Sequence, residues 1–123
     1  MTPKEYNAMP EGDTKLAVRL AITMGWPRVK TDFYGRVIVR DIDNDYYFYA
    51  WRIFDPFTDP SIPYGLPVDS VFMPCTNDYS AYPHGSHALK YRRVHESKTH
   101  AIINAFCAAD PQGHWARFMK GGE

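Results

Sequence analysis

What this sequence lacks narrows it first. It has no uninterrupted apolar run long enough to span a bilayer, and Met1–Pro10 is too polar for a secretory signal peptide. It has no net charge, since fourteen Lys and Arg balance fourteen Asp and Glu, which argues against a dedicated polyanion binder while leaving room for local patches. Two cysteines, Cys75 and Cys107, lie 32 positions apart in segments of different character. Nothing demands that they pair, so the expected setting is a reducing cytoplasm. Gly-x-Gly-x-x-Gly, Walker, Gly-x-Ser-x-Gly and His-Glu-x-x-His motifs are all missing, which removes sequence support for nucleotide hydrolysis, Rossmann chemistry and the common hydrolases. What remains is 123 residues, 45% hydrophobic and 15% aromatic, enough for one self-sufficient core in a single domain over 1–123.

Thr2-Pro3-Lys4-Glu5 reads as a capping box with proline at the first helical position, opening one or two turns before Pro10. A second helix is predicted over 13–25, capped by Asp13 or Thr14. Leu16, Ala17, Leu20, Ala21 and Met24 form its apolar face, and Gly25 and Pro27 end it. Val37–Val39 and the aromatic run Tyr46–Phe54 read as strands joined through a turn at Asp41–Asp45. Both faces of the aromatic run are apolar, so this strand is expected to be covered on both sides or to present an aromatic surface. Six prolines between Asp55 and Pro83 exclude a long helix, and residues 55–87 read as an ordered, proline-stiffened excursion with a short strand at Val71–Met73. Ala88–Val94 resumes alternation. A last helix is predicted over 96–109, opened by Glu96 or Ser97, followed by a closing turn packed through Trp115 and Phe118 and a loose end over 120–123. The expected fold class is α+β: a small, mostly antiparallel sheet flanked by helices.

The opening Thr2-Pro3-Lys4-Glu5 with Asn7–Gly12, the helix ending in Met24-Gly25-Trp26, and the alanine-rich helix Glu96–Ala109 after a short strand resemble small bacteriophage proteins of the phage ABA sandwich family. The likeness covers about the first 26 and the last 30 residues, while Asp41–His87 is richer in proline and aromatics. The resemblance implies an α/β/α sandwich-like arrangement and a phage or prophage accessory protein in the host cytoplasm. It brings no catalytic motif with it.

Candidate chemistry is sparse. Asp41-Ile42-Asp43-Asn44-Asp45 places carboxylates as a calcium loop does, but Tyr46 stands where that loop needs glycine and Arg52 where it needs a bidentate glutamate, so a turn is expected. His84 and His87, with His95 and His100 nearby, have no second paired-ligand element, and no metal or other cofactor is expected. A nucleophilic Cys75 with His84 or His87 as base, or a metal-assisted variant, is the third functional reading; it lacks the cation or helix start that would activate the thiol.

Residues 41–78 hold seven acids against Arg52, whereas 88–100 hold Lys90, Arg92, Arg93 and Lys98 against Glu96. Mutual neutralisation is the simplest expectation. The sharper one makes Tyr82, Lys90, Tyr91 and Arg92 a ligand- or partner-binding patch that holds a phosphate and stacks a base, with Arg28 and Lys30 as an extension. The leading expectation is a non-enzymatic protein that occludes or sequesters a host or defence protein. The alternative is a nucleotide or nucleic-acid binding module. Self-association through the aromatic strand is compatible with either.

Overall fold

The computed structural model describes residues 1–41, 51–85 and 88–121. The order is α1 (Pro3–Ala8), α2 (Asp13–Met24), β1 (Arg28–Thr31), β2 (Val37–Arg40), β3 (Arg52–Ile53), α3 (Ser61–Tyr64), β4 (Val68–Met73), β5 (Asp78–Pro83), β6 (Arg93–His95), α4 (Lys98–Ala109) and α5 (His114–Lys120). The class is α+β, and every strand pair among the described residues is antiparallel. The described strands form two three-stranded sheets, β1-β2-β3 and β4-β5-β6, where the sequence suggests one. They belong to two compact units: Met1–Asp55 with Gln112–Glu123, and Pro56–Pro111. Among the described residues no helix is long and apolar enough to cross a membrane.

In the first unit, the Thr2 hydroxyl accepts from the Glu5 amide and the Glu5 carboxylate accepts from the Thr2 amide, completing the capping box that starts α1. Helix α2 buries Ala17, Val18, Leu20 and Ala21. Fully burying Leu20 or Val18 is worth about 1.5–3 kcal/mol each. Its N-cap is Gly12, with Asp13 inside the first turn rather than capping it. There the Asp13 carboxylate complements the positive end of the helix dipole. At the other end Gly25 adopts φ +97°. The amides of Gly25 and Trp26 close on the carbonyls of Ile22 and Ala21, a Schellman ending.

Helix α2 packs on α5, β1 and β2. Tyr6 meets Trp115 edge-on with centroids 4.8 Å apart, and the Arg19 guanidinium lies 4.9 Å from the Trp115 ring. The expected closing turn is thus a seven-residue helix, α5, anchored through Trp115. The predicted pairing of Val37–Val39 with the end of the aromatic run is present as Ile38↔Ile53 and Val39↔Arg52. Tyr46–Ala50 and most of the proposed calcium loop lie outside the described residues. Strand β1 adds a partner on the other edge of β2, with Val29↔Val39 and Lys30↔Ile38.

In the second unit the proline-rich stretch departs most from expectation. It contains the helical turn α3 and the β4–β5 hairpin, whose β5 is the central strand of the sheet. The prolines punctuate rather than interrupt: Pro67 precedes β4, Pro74 opens the turn and Pro83 ends β5, leaving two proline-free runs free to make ladder bonds. Asn77, at φ +61°, supplies the left-handed turn residue. The other departure is Ala88–Tyr91, which is a turn, so the strand begins only at Arg93. Ser97 caps α4 as expected, accepting from the His100 amide, and α4 covers β4, β5 and β6 through Ala101, Ile102, Ala105 and Phe106.

A Cβ added at Gly25 would stand 2.7 Å from His114 Nε2, on top of the cost of a left-handed backbone. Gly25→Ala is therefore expected to lower stability by more than about 1 kcal/mol, read as a drop in Tm in a thermal melt.

Candidate functional site

Strand β1 alternates cation, valine, cation. Val29 is buried with Val37, Val39 and Phe54 on the side of the sheet that meets α2, so Arg28 and Lys30 point to the opposite side. Arg40 is registered against Arg28 and shares that side. Trp51, one residue before β3, continues it, with Lys30 Nζ 4.4 Å from its ring centroid. A cation over a half-buried tryptophan contributes about 0.5–1 kcal/mol and holds the indole face in place. Arg28, Lys30 and Trp51, together with Met1, Pro27 and Val29, line a concavity of about 430 Å³.

The tip of the β1–β2 hairpin is equally polarised. Phe33 is 97% and Tyr34 79% exposed, and Arg36 lies 5.2 Å from the Tyr34 ring. The Asp32 carboxylate organises this tip, accepting from the amides of Tyr34 (2.9 Å) and Arg36 (2.8 Å) and from Arg36 Nε (2.7 Å). Desolvation alone would raise the Asp32 pKa. The Arg36 amide and guanidinium and the Tyr34 amide outweigh it and hold the carboxyl below its ordinary value. Residues 28–40 thus carry four cations against this single, internally used acid.

Beside it lies a second concavity, of about 340 Å³, bounded by Ile22, Gly25, Trp26, Pro27, Val29, His114, Arg117 and Phe118. Arg117 Nη2 stands 2.8 Å from His114 Nδ1, and His114 Nε2 stands 2.8 Å from Gln112 Oε1. A guanidinium only donates, so Nδ1 accepts and the proton sits on Nε2, donating to Gln112.

Tyr82, Lys90, Tyr91 and Arg92, the patch singled out from sequence, lie in the second unit, in two pairs. Arg92 reaches across the sheet face: Nε donates to Ser80 Oγ at 2.7 Å, Nη2 lies 3.6 Å from Met73 Sδ, and the guanidinium carbon stands 5.8 Å from the Tyr82 ring. Lys90 instead lies over its neighbour Tyr91, 5.3 Å from the centroid, in the turn before β6. The expected neutralisation of this segment by carboxylates is not made among the described residues. Arg92 is engaged with a hydroxyl, Arg93 Nη1 donates to the Arg92 carbonyl, and Lys98 lies over Tyr64. The acids are used elsewhere, Asp69 beside His84 Nε2 at 3.2 Å.

Cys75 sits in the β4–β5 turn and His84 just beyond the far end of β5, so a six-residue strand of about 20 Å separates them. That distance rules out the Cys75–His84 pairing; His87 lies outside the described residues. Among the described residues no three His, Cys, Asp or Glu side chains gather in a metal-binding cluster.

Sequence reading named Arg28 and Lys30 only as an extension of the Tyr82–Arg92 patch, offered Trp51 only within the aromatic run Tyr46–Phe54, and missed Trp26, Phe33, Tyr34, His114 and Arg117. The available signals were the Arg-Val-Lys alternation and the Asp32…Gly35 turn, each too short to stand out. No family model, no curated protein and no solved structure matches this chain.

The Tyr82 pKa is lowered chiefly by its hydrogen bond with Ser80; burial opposes this, and the charge of Arg92 and a hydrogen bond with it add to the lowering. The phenolate is thus favoured in the folded state. Its stabilisation is present above the unfolded value near 10 and vanishes as pH falls through the folded pKa, leaving no contribution at neutrality. Tyr82 is expected to ionise below the ordinary tyrosine range, and Arg92→Ala to move it back up, in absorbance titrations referenced to Tyr82→Phe.

Proposed function

We propose that this protein is a non-enzymatic binding protein that holds single-stranded nucleic acid on the β1-β2-β3 sheet of its first unit. The observation that carries the reading is the juxtaposition of Arg28 and Lys30 with the Trp51 ring on one side of that sheet, with Lys30 Nζ 4.4 Å from the indole centroid. Cations spaced along a strand follow a phosphate backbone, and an indole face stacks any base, so the two together favour a flexible strand without strong sequence preference. The exposed Phe33 and Tyr34 at the hairpin tip extend the stacking surface. An antiparallel sheet presenting cations and aromatics admits splayed bases far better than it fits the closed grooves of a duplex. The resemblance of the chain's ends to phage proteins agrees with an accessory role in a host cytoplasm, in which coating a strand occludes it from other factors.

Fluorescence anisotropy with a labelled oligo-dT checks this. Engaging two or three phosphates gives a slope of log K against log salt of about −1.4 to −2. Arg28→Ala should make that slope shallower by about 0.7. Trp51→Ala should cost about 1–3 kcal/mol with the slope unchanged. Binding that ignores salt, or survives both substitutions, overturns the reading.

A second reading, occlusion of a host or defence protein, is favoured by the outward face of the second unit's sheet. There Val71 and Val94 flank Ser80 in one register and are both exposed, with Arg92 lying across Ser80 and Leu89 81% exposed in the preceding turn. Apolar groups around an arginine suit a protein surface more than a phosphate chain. Cross-linking in host lysate should recover a specific partner that the double substitution Val71→Glu with Val94→Glu loses; equal recovery from both proteins rejects it.

A further inference from the structure

We infer that the 340 Å³ cavity between the end of α2, β1 and α5 is a subsite for one nucleotide unit, its base received by the aromatic lining and its phosphate by Arg117. The inference rests on the strand-binding reading and names what lies at one end of the track.

Its lining divides by chemistry. Trp26 and Phe118 contribute rings, Pro27 and Val29 a saturated apolar wall, and His114 and Arg117 the polar edge; no carboxylate is among them. Such a composition, mostly apolar with a few convergent polar groups, is that of a small-ligand site, and the volume falls in the usual range. The polar edge is arranged in advance. His114 is tied to Gln112 through Nε2 and accepts from Arg117 Nη2 through Nδ1, so one arm of the guanidinium is held. The remaining guanidinium N–H groups make no hydrogen bond among the described residues, so they are available to an anion. A guanidinium donates to phosphate in a planar fork, and fixing one arm reduces the entropy lost when the others bind. Gly25 matters here as well. Because it has no Cβ, the His114 ring sits against its backbone, and any larger residue would drive the imidazole out of the position that orients Arg117.

The cavity also has a continuation. Met1, Pro27 and Val29 are shared with the adjoining concavity, which holds Arg28, Lys30 and Trp51. A strand whose phosphates follow Arg28 and Lys30 therefore reaches this cavity without crossing an acidic side chain that lines either space. A ring system carrying an anionic group uses both the aromatic lining and the oriented guanidinium, and the strand reading supplies one in the base and phosphate of a nucleotide. Inorganic phosphate alone leaves the rings unused, and an apolar ligand leaves the guanidinium of Arg117 unused.

The test is titration of the full chain with adenosine 5′-monophosphate, adenosine and inorganic phosphate, followed by tryptophan fluorescence and calorimetry, beside oligo-dT binding on the same samples. Saturable one-to-one binding of the monophosphate is expected. Arg117→Gln should weaken it about tenfold, the loss of one charge-assisted hydrogen bond, and adenosine should bind the native chain weaker by a similar factor. Lys4→Ala, an exposed α1 position that lines neither concavity, should leave it unchanged. Arg117 is exposed, so its substitution is tolerated by the fold, and an unchanged Tm verifies this. Absence of monophosphate binding while oligo-dT still binds overturns the subsite and leaves the strand reading standing. Monophosphate binding that depends on Arg117 without oligo-dT binding supports the subsite and overturns the strand reading. Equal affinity for inorganic phosphate, or insensitivity to Arg117→Gln, marks a nonspecific anion contact and overturns the inference.

Discussion

Because side chains on a strand alternate in direction, burying Val29 with Val37, Val39 and Phe54 on the α2 side of the sheet commits Arg28 and Lys30 to the other side. The first unit's chemistry depends on that commitment. A slip of one residue in the β1–β2 register would send both cations into the apolar layer, at a desolvation cost far beyond what the small sheet could offset. The hydrophobic pattern thus stabilises the fold and orients the cations in one step. Trp51 then needs only to continue the β3 alternation to come within cation–π range of Lys30.

The end of α2 couples helix termination to a concave surface in a similar way. Gly25 is left-handed because the Schellman ending requires it, and the absence of a side chain is what lets the His114 ring sit against the same backbone. Trp26 follows directly and joins the cavity lining. Helix α5 supplies both the anchor, Trp115 against Tyr6 and Arg19, and the polar edge, His114 and Arg117. Residues far apart in sequence therefore share one small neighbourhood because a helix cap and a helix–helix contact meet there.

The second unit shows a different use of charge. Arg92 is engaged with Ser80 and the Tyr82 ring, where it adds to the Ser80 hydrogen bond that chiefly lowers the tyrosine pKa, rather than standing as a guanidinium poised for a phosphate. Sequence reading grouped Tyr82 with Arg92, whose guanidinium, one residue before β6, the structure brings to 5.8 Å from the Tyr82 ring on β5. It joined Lys90 and Tyr91 to them by assuming a strand over 88–94. The chain turns there instead, so Lys90 finds its own neighbour.

Local rules were enough for the helices. Thr2 with Glu5, Gly25 with Pro27, and Ser97 ahead of an apolar stripe mark α1, α2 and α4 because caps and 3.6-residue periodicity are properties of neighbouring residues. The antiparallel α+β class was likewise legible in the short β-branched and aromatic runs. What the chain did not disclose locally was pairing: that prolines at 67, 74 and 83 bracket a hairpin, that two sheets form, and that β1 exists at all. A four-residue strand such as Arg28–Thr31 carries almost no intrinsic signal. Its existence comes from hydrogen bonds to Val37–Arg40 and burial of one valine, both supplied by residues elsewhere in the chain. The proposed binding surface is built on that strand, so its geometry was decided by tertiary structure, where contacts distant in sequence select the face each side chain takes.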